Sequence, residues 1–307
     1  MDEEIHNTQP PVTRKAIPPQ RDHLQSLLLV SAVSALLCLL TLDTFYRFYP
    51  VATLSSAHGI GAIAISAAFF ATVLILRAAT PAGAACGGIL CLLITLWTGT
   101  SSESLLRSGL TPLATLFVLT FLATRAGRQR KALAGLAEGR KGRTAAQIIA
   151  NLSIAALSIF VAPRISLIAV HPGIYTATIT LKLMCLAALI EATADTVSSE
   201  IGQAFGGGPI LVSTLRRVAP GTNGAITLLG TAAGILAGAI VTLAGAWALH
   251  LGYIPASIAL AAGIAGLFFD SLLGATVERK GWLGNDLVNF ASTAFAAIIA
   301  AAAHHVL

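Results

Sequence analysis

Asp195, Glu200 and Asp270 are the residues best placed to do chemistry in this chain, with the run Pro220-Gly221-Thr222-Asn223-Gly224 between them. The acids fall at the ends of apolar runs, where a carboxylate is costly and the default inference is function. Glu191, Asp195, Ser198 and Ser199 recur at i, i+4, i+7 and i+8, which lines one helix face. Two carboxylates one turn apart repel unless a cation lies between them. A divalent metal carrying phosphate therefore competes with a plainer alternative, hydrogen-bonded acids that stabilise helix packing. Downstream, Asp270, Gly274 and Glu278 share a face at i, i+4 and i+8, and Asn285, Asp286 and Asn289 lead into the last apolar run.

The glycine turn suits a phosphate. Small residues opening a helix leave backbone N–H groups free at the positive end of the helix dipole. Arg216 and Arg217 precede the turn closely, so the expected phosphate site combines them with Gly221, Thr222, Asn223 and Gly224. The Walker pattern G-x-x-x-x-G-K-[ST] is absent. A simple N-cap at Thr222 or Asn223 is the competing interpretation of the turn, and Gly206, Gly207 and Gly208 suit a flexible connection.

The elements that must position these residues are membrane helices. Of 307 residues 56% are hydrophobic and 10% charged, with mean hydropathy +0.82, whereas soluble domains carry about 25% charged residues. Nine apolar runs approach the length needed to cross about 30 Å of hydrocarbon. They are approximately Leu24–Leu42, Gly59–Leu76, Ala82–Trp97, Leu110–Thr124, Ala145–Ala162, Thr176–Asp195, Ala225–Leu249, Ala256–Val277 and Leu287–Ala303. The third and fourth are short, which leaves room for eight spans or a re-entrant segment. Strand alternation is lacking, so the fold class is all-α, a polytopic integral membrane bundle of about nine helices.

With nine spans, 15 of the 19 Lys and Arg residues fall on one side, including Arg14, Lys15, Arg125, Lys131, Arg140, Lys141, Arg143, Arg216 and Arg217. Only Arg47, Arg107 and Arg164 fall on the other, and Lys182 lies within a span, where it is expected to snorkel to the outer interface. The bias places the N-terminus in the cytoplasm and the C-terminus outside, in a multi-pass cell (inner) membrane protein. The formal +6 then reflects topology and anionic lipid rather than nucleic-acid binding.

Residues 1–23 carry four prolines and are expected to form a mobile cytoplasmic tail, followed by a retained first helix rather than a cleaved signal. Residues 24–124 hold the N-terminal helices, 125–143 a basic cytoplasmic loop, and 144–307 the motif-bearing transmembrane part. Cys38, Cys86, Cys91 and Cys185 lack metal-ligand spacing and read as small buried hydrophobes. His58, His171 and His250 read as scattered loop residues, and His304 and His305 fall on the side away from the acids. Gly230, Gly234 and Gly238 form two G-x-x-x-G pairs suited to close helix packing.

Five ordered segments carry a resemblance: R-T-A-A-Q-I-I-A-N from Arg143, D-T-V-S-S-E-I-G from Asp195, P-G-T-N-G-A-I-T from Pro220, D-S-L-L-G-A from Asp270 and G-N-D-L-V-N from Gly284. They resemble the polytopic membrane family that includes plant phytyl-phosphate kinase and animal transmembrane protein 19, over about half the chain. Val197, Ala225 and Glu278 stand where that family's pattern has Trp, Gly and Gln. The resemblance implies a CTP- and Mg²⁺-dependent kinase acting on a prenyl monophosphate, distantly similar to dolichol kinases and CDP-diacylglycerol synthases. Set beside it, the residues themselves give Mg²⁺ to Asp195 and Asp270 with Glu200 as a further acid, and nucleotide phosphates to Arg216, Arg217 and Gly221–Gly224. Asn285, Asp286 and Asn289 would position substrate, and the prenyl tail would lie among the spans. A cytidylyltransferase acting on a lipid phosphate, a transporter and a non-enzymatic scaffold stay open as alternatives.

Overall fold

The computed structural model describes residues 17–48, 54, 56–99, 104–136, 142–168 and 174–306. Arg14, Lys15, Arg140, Lys141 and His171 lie outside these residues, as does most of the N-terminal tail. Ten helices are described: α1 (Pro19–Phe48), α2 (Ala57–Ile75), α3 (Pro81–Thr98), α4 (Leu110–Arg125), α5 (Arg128–Leu133), α6 (Ala145–Ile168), α7 (Ile174–Phe205), α8 (Leu228–Leu249), α9 (Tyr253–Leu273) and α10 (Asn285–Val306). All but the six-residue α5 are sixteen residues or longer, which matches the nine expected runs one for one. Six are long and apolar enough to cross a membrane, and α4 and the Ala145–Phe160 part of α6 are shorter apolar helices. The chain is an all-α polytopic membrane protein.

The organising element is α7, which packs against α4, α6, α8, α9 and α10. Leu183 and Cys185 to Ile190 are all 0% exposed, so the helix is apolar and buried on every side over this stretch, as expected of a central helix. The glycine pairs of α8 explain its close seat on α7. A side chain at Gly230 or Gly234 would strike the carbonyl oxygens of Ser198 and Ala194. α3 joins the other side through α6, with α2 packed on α3 and α1 on α6.

Three boundaries differ from the sequence expectation. α1 begins at Pro19 rather than Leu24, because Gln25 and Ser26 are held by the start of α10. Gln25 donates to the Trp282 carbonyl (2.9 Å) and accepts from the Gly284 N–H (2.8 Å), and Ser26 donates to Asp286 (2.6 Å). α7 continues ten residues past Asp195 to Phe205, so Asp195 and Glu200 are helical residues and Ile201–Phe205 belong to the helix rather than to a loop. At 32 residues α7 is about 48 Å long, beyond the roughly 30 Å of hydrocarbon. The glycine turn does not open α8 directly. It is followed by β2 (Ala225–Ile226), which pairs antiparallel with β1 (Ile210–Leu211), and the N-cap of α8 is Thr227, whose hydroxyl accepts from the Gly230 N–H (3.1 Å).

Contacts define the two ends of the bundle. At one end the starts of α1, α3, α6, α8 and α10 meet the finishes of α2, α4, α7 and α9. There Arg125 donates to the Leu76 carbonyl (3.0 Å), and Thr80 N–H donates to the Arg143 carbonyl (2.9 Å). At the other end Lys182 donates to the last carbonyl of α8, Leu249 (2.8 Å), Arg107 lies over the Trp247 ring, and Thr180 meets His304 (2.9 Å). The start of α1 and the end of α10 therefore lie at opposite ends. His58 is buried within α2 and His250 is the left-handed C-cap of α8, so neither is a plain loop residue. The four cysteines are free, and Cys38 is exposed rather than buried.

The short α5 folds back across the end of α7, with Arg130 over the Phe205 ring (5.2 Å). Its Lys131 is only 1% exposed, and its ammonium donates to Glu200 and to the Thr124 carbonyl (2.9 Å). Removing one partner of such a buried pair costs about 3–5 kcal/mol, because the other charge is stranded. Lys131→Met should therefore lower the thermal stability of the detergent-solubilised protein sharply. Lys131→Met combined with Glu200→Gln should recover most of the loss in a double-mutant cycle on melting temperature.

Candidate functional site

A polar cavity of about 240 Å³ opens at the end of the bundle where α6, α7, α9 and α10 meet the glycine turn. Its floor is the polar stripe of α7. Asp195, Ser198 and Ser199 line it, and Glu200 reaches its edge while paired with Lys131. Asp270, Ser271, Gly274 and Glu278 of α9 and its terminal turn face Asp195 across the space, with Asn285 and Asn289 of α10 beside them. The two acid clusters, 75 residues apart in sequence, thus meet in one cavity.

A network ties the acids to α6 and α10. Ser292 Oγ donates to Asp270 Oδ2 (3.1 Å). In the amide orientation that matches donors to acceptors, Asn289 donates to the same oxygen (3.3 Å) and accepts from Asn151 Nδ2 (3.3 Å). Below the cavity, Glu191 is 1% exposed and its Oε1 has no hydrogen-bond partner. Glu191 lies within Coulombic reach of both Asp195 and Asp270. The absence of a side chain at Gly266 makes its room, since a Cβ there would press on Glu191 Cγ (2.6 Å).

The last turn of α9 widens into a π-turn over Gly274–Glu278. Such a turn inserts extra backbone and often accompanies function. Here it brings Glu278 round to the wall that holds Asp270, and it is the surface on which the glycine turn docks. Gly224 has φ +72°, and a Cβ on it would strike the Ser271 carbonyl and the Ala275 backbone. A Cβ on Gly274 would meet the Gly224 N (2.8 Å). Backbone lies on backbone at this point, so Gly224 is required by both its left-handed conformation and its space. Pro220 to Gly224 consequently form one wall of the cavity, with Thr227 at its back.

The cation of the site was not among the residues expected from sequence. Arg143 is the only cationic side chain among the described lining residues. It donates to Thr196 Oγ1 (3.3 Å) and acts electrostatically on Asp195. Its backbone is clamped by the front helices: its N–H donates to the Ala78 carbonyl (3.0 Å), and Gly83 of α3 leaves room for its own carbonyl. Thr144 and Gln147 form a reciprocal capping box, with Thr144 N–H to Gln147 Oε1 (2.8 Å) and Gln147 N–H to Thr144 Oγ1 (3.3 Å). This fixes the start of α6 and sets Arg143, Gln147 and Asn151 at i, i+4 and i+8 toward the cavity. The T-x-x-Q signature and that spacing were available in the sequence.

Other expected residues lie elsewhere. Arg216 and Arg217 are exposed on the segment between β1 and the turn, and neither lines the cavity; Arg217 is in an isolated bridge with Ile210. Asp286 accepts from Ser26 of α1 and also lies off the cavity wall. In both cases the short hairpin or the helix contact claims the residue, which sequence proximity to a turn cannot reveal.

The described lining residues include four carboxylates and one guanidinium, so an anionic ligand there calls for cations brought with it. Among the described residues no three His, Cys, Asp or Glu side chains are arranged to hold a metal ion by themselves. Two facing carboxylates with hydroxyl and amide neighbours do suit Mg²⁺, which is commonly held by one or two protein carboxylates while phosphate and water complete its shell.

The family model described as Integral membrane protein DUF92 matches residues 64–297. The match begins within α2, well before the quoted motifs. Relatives include Uncharacterized membrane protein MJ0933 of Methanocaldococcus jannaschii, 42% identical over 37% of this chain and 48% of that protein. Protein VTE6, chloroplastic, of Arabidopsis thaliana is 30% identical over 63% of this chain and 57% of its own length. Uncharacterized membrane protein sll0875 of Synechocystis is 29% identical over 60% and 69% respectively. The chain thus spans about half the length of the first two. No solved structure gives a significant match. The motifs pointed to this group, and with most of its length matched the chain belongs to the integral membrane protein family DUF92.

Proposed function

We propose that this protein is a membrane-embedded phosphotransferase, a CTP- and Mg²⁺-dependent kinase acting on a prenyl monophosphate at the cytoplasmic membrane face. The carrying observation is the one-ended polar cavity in which Asp195 and Asp270 face each other beside Arg143 and the Gly221–Gly224 turn. The nucleotide and the prenyl acceptor come from the family resemblance, and the geometry is what such a reaction needs. A transporter site would lie near the midplane between repeats, whereas this cavity lies at one end of the bundle. A scaffold has no use for facing carboxylates with so little cationic compensation.

In this reading a phosphate oxygen of the acceptor attacks the γ-phosphorus of CTP, and CDP leaves. A phosphate monoester is already largely ionised near neutral pH, so positioning and charge neutralisation matter more than a strong base. No histidine is among the described lining residues, which fits that demand. Asp195 and Asp270 would hold the Mg²⁺, which when bound neutralises phosphate charge. Arg143 orients a phosphate oxygen, Asn289 and Ser292 fix Asp270, and the backbone of the glycine turn borders the nucleotide. Glu200, held by Lys131, supports the floor.

Incubation of purified protein with CTP, Mg²⁺ and prenyl monophosphates should yield the prenyl diphosphate and CDP by mass spectrometry. A CDP-prenyl product would instead assign attack at the α-phosphate. Asp195→Asn and Asp270→Asn should each reduce turnover by about a thousandfold or more, and the double variant should be little worse, as expected of groups acting as a unit. Retained turnover in a folded single variant removes that residue from the machinery.

Arg143→Ala should reduce kcat/KM by about a hundredfold, equivalent to about 2.7 kcal/mol for a lost charge-assisted contact. Arg216→Ala and Arg217→Ala should stay within a few-fold of wild type, because neither side chain reaches the cavity. The opposite ranking in the same assay would move the phosphate site to the hairpin.

The cation-rich end of the bundle is assigned to the cytoplasm by the positive-inside bias. A reporter inserted near Gly135 should be cytoplasmic, and one fused after residue 307 should lie outside. Both reporters on one side would overturn that topology.

A further inference from the structure

We propose that the apolar slot enclosed by α2, α3, α4, α6 and α7 binds the hydrocarbon tail of the phosphorylated lipid whose head occupies the polar cavity. The proposal rests on the phosphotransferase reading for the head and adds a specific place for the tail, in the front half of the bundle. Three observations carry it.

The slot and the polar cavity share a wall. The slot, about 80 Å³, is lined by Phe69 and Val73 of α2, Gly87 of α3 and Leu116, Phe117 and Phe121 of α4, and at its inner end by the same Arg143 and Asn151 that line the polar cavity. A guanidinium and an amide at the junction suit a phosphate on one side and the first carbons of its ester on the other. The larger apolar groove between α1 and α3, about 430 Å³, shares no lining residue with the polar cavity and so cannot receive the tail of a head bound there.

Gly87 is not explained by helix contact. A Cβ on it would meet only Phe69 Cε1 at 3.7 Å and Ile148 Cγ2 at 4.0 Å, ordinary van der Waals distances. Its neighbour Gly83 differs, because there a Cβ would strike the Arg143 carbonyl (2.6 Å). The open space beside Gly87 is a property of the slot, whereas Gly83 serves backbone packing. Protein interiors hold few voids of this kind, and a membrane bundle gains its cohesion from filling them.

The outer end of the slot is built of aromatic rings. Phe69 and Phe117 meet edge-on at 5.2 Å, and Phe117 and Phe121 stack at 5.7 Å. All three are half-buried, so the slot that meets the polar cavity at Arg143 and Asn151 has its aromatic side partly exposed at α2 and α4. At the end of the bundle Arg125 bridges these helices through its bond to Leu76 and lies over Phe121 at 4.1 Å. A tail can therefore pass sideways into lipid while the head stays in the polar cavity.

The test uses the full-length protein in lipid nanodiscs and geranylgeranyl monophosphate carrying a diazirine along its chain. Photolysis followed by peptide mass spectrometry should place the label on Phe69–Val73 and Leu113–Phe121, and excess unlabelled geranylgeranyl monophosphate should abolish it. Gly87→Leu, which fills the slot, should reduce this labelling and raise KM for long-chain acceptors by about tenfold, the scale set by one or two methylenes in an apolar pocket. It should spare a short acceptor such as isopentenyl monophosphate. Gly87→Ala, whose Cβ fits, should behave nearly as wild type and shows that the position tolerates substitution. Label confined to α8–α10 or to the groove of Cys38 and Cys86 would overturn the slot, whether or not the protein turns over CTP. Competed label on α2 and α4 without any CTP turnover would uphold the slot and sink the kinase assignment.

Discussion

The burial of carboxylates on the central helix is the constraint on which the rest of this structure depends. An acidic side chain at a helix centre costs about 2.5–3.5 kcal/mol on insertion scales. Glu191, 1% exposed on α7, bears that cost most fully, and Asp195 and Asp270, partly exposed in the polar cavity, bear less of it. Such a burden persists only where polar company offsets it. Here Ser292 and Asn289 satisfy Asp270, Arg143 acts on Asp195, and the cavity admits water to the acids nearest the bundle end.

That requirement explains the division of labour between the halves of the chain. The back helices supply acids, amides and the glycine turn, and the front helices hold the cations in place. Ala78 and Gly83 fix the backbone of Arg143, and the turn from α4 to α5 sends Lys131 inward to Glu200. The short α5 could not be recognised as important from hydropathy, since a buried lysine in a basic loop has the same composition as a solvated one. The family match that begins at residue 64 takes in this front part, whose Ala78 and Gly83 hold the backbone of Arg143.

What was legible in the sequence followed from periodicity and cost. Nine apolar runs became nine helices, and acids at helical spacing with glycines between them mapped to one cavity, because hydrocarbon leaves few other solutions. What was not legible depended on contacts distant in sequence. Arg216 and Arg217 lie within eight residues of Gly224 yet are turned away by the hairpin. Arg143, more than fifty residues before Asp195's helix face ends, is delivered by a capping box and a clamp from α3. Proximity along the chain favoured cations that the hairpin keeps off the cavity wall, and the capping box was the local signal for the cation that lines it. The end of α7 was misplaced because hydropathy falls at Asp195 while the helix, held by α8 and α5, continues to Phe205.

The proposed reaction between a water-soluble nucleotide and a membrane-borne ester would impose one further geometric demand, that a polar chamber and an apolar path meet at the reacting phosphate. Backbone-on-backbone packing at Gly224 and Gly274 closes the polar chamber on one side without using side chains that would occupy it. On the other side α6 is the partition: Arg143 just before it and its Asn151 line both the chamber and the slot, whereas Ile148 and Leu152 line only the slot. A single helix thus separates the polar chamber from the apolar slot. The four-residue spacing that carries Gln147 and Asn151 toward the acids leaves Ile148 and Leu152, each one position on, to turn toward α2 to α4. Under the proposed function the two faces of α6 would sort the head and tail of one lipid, because the capping box fixes the rotation of that helix at its first turn.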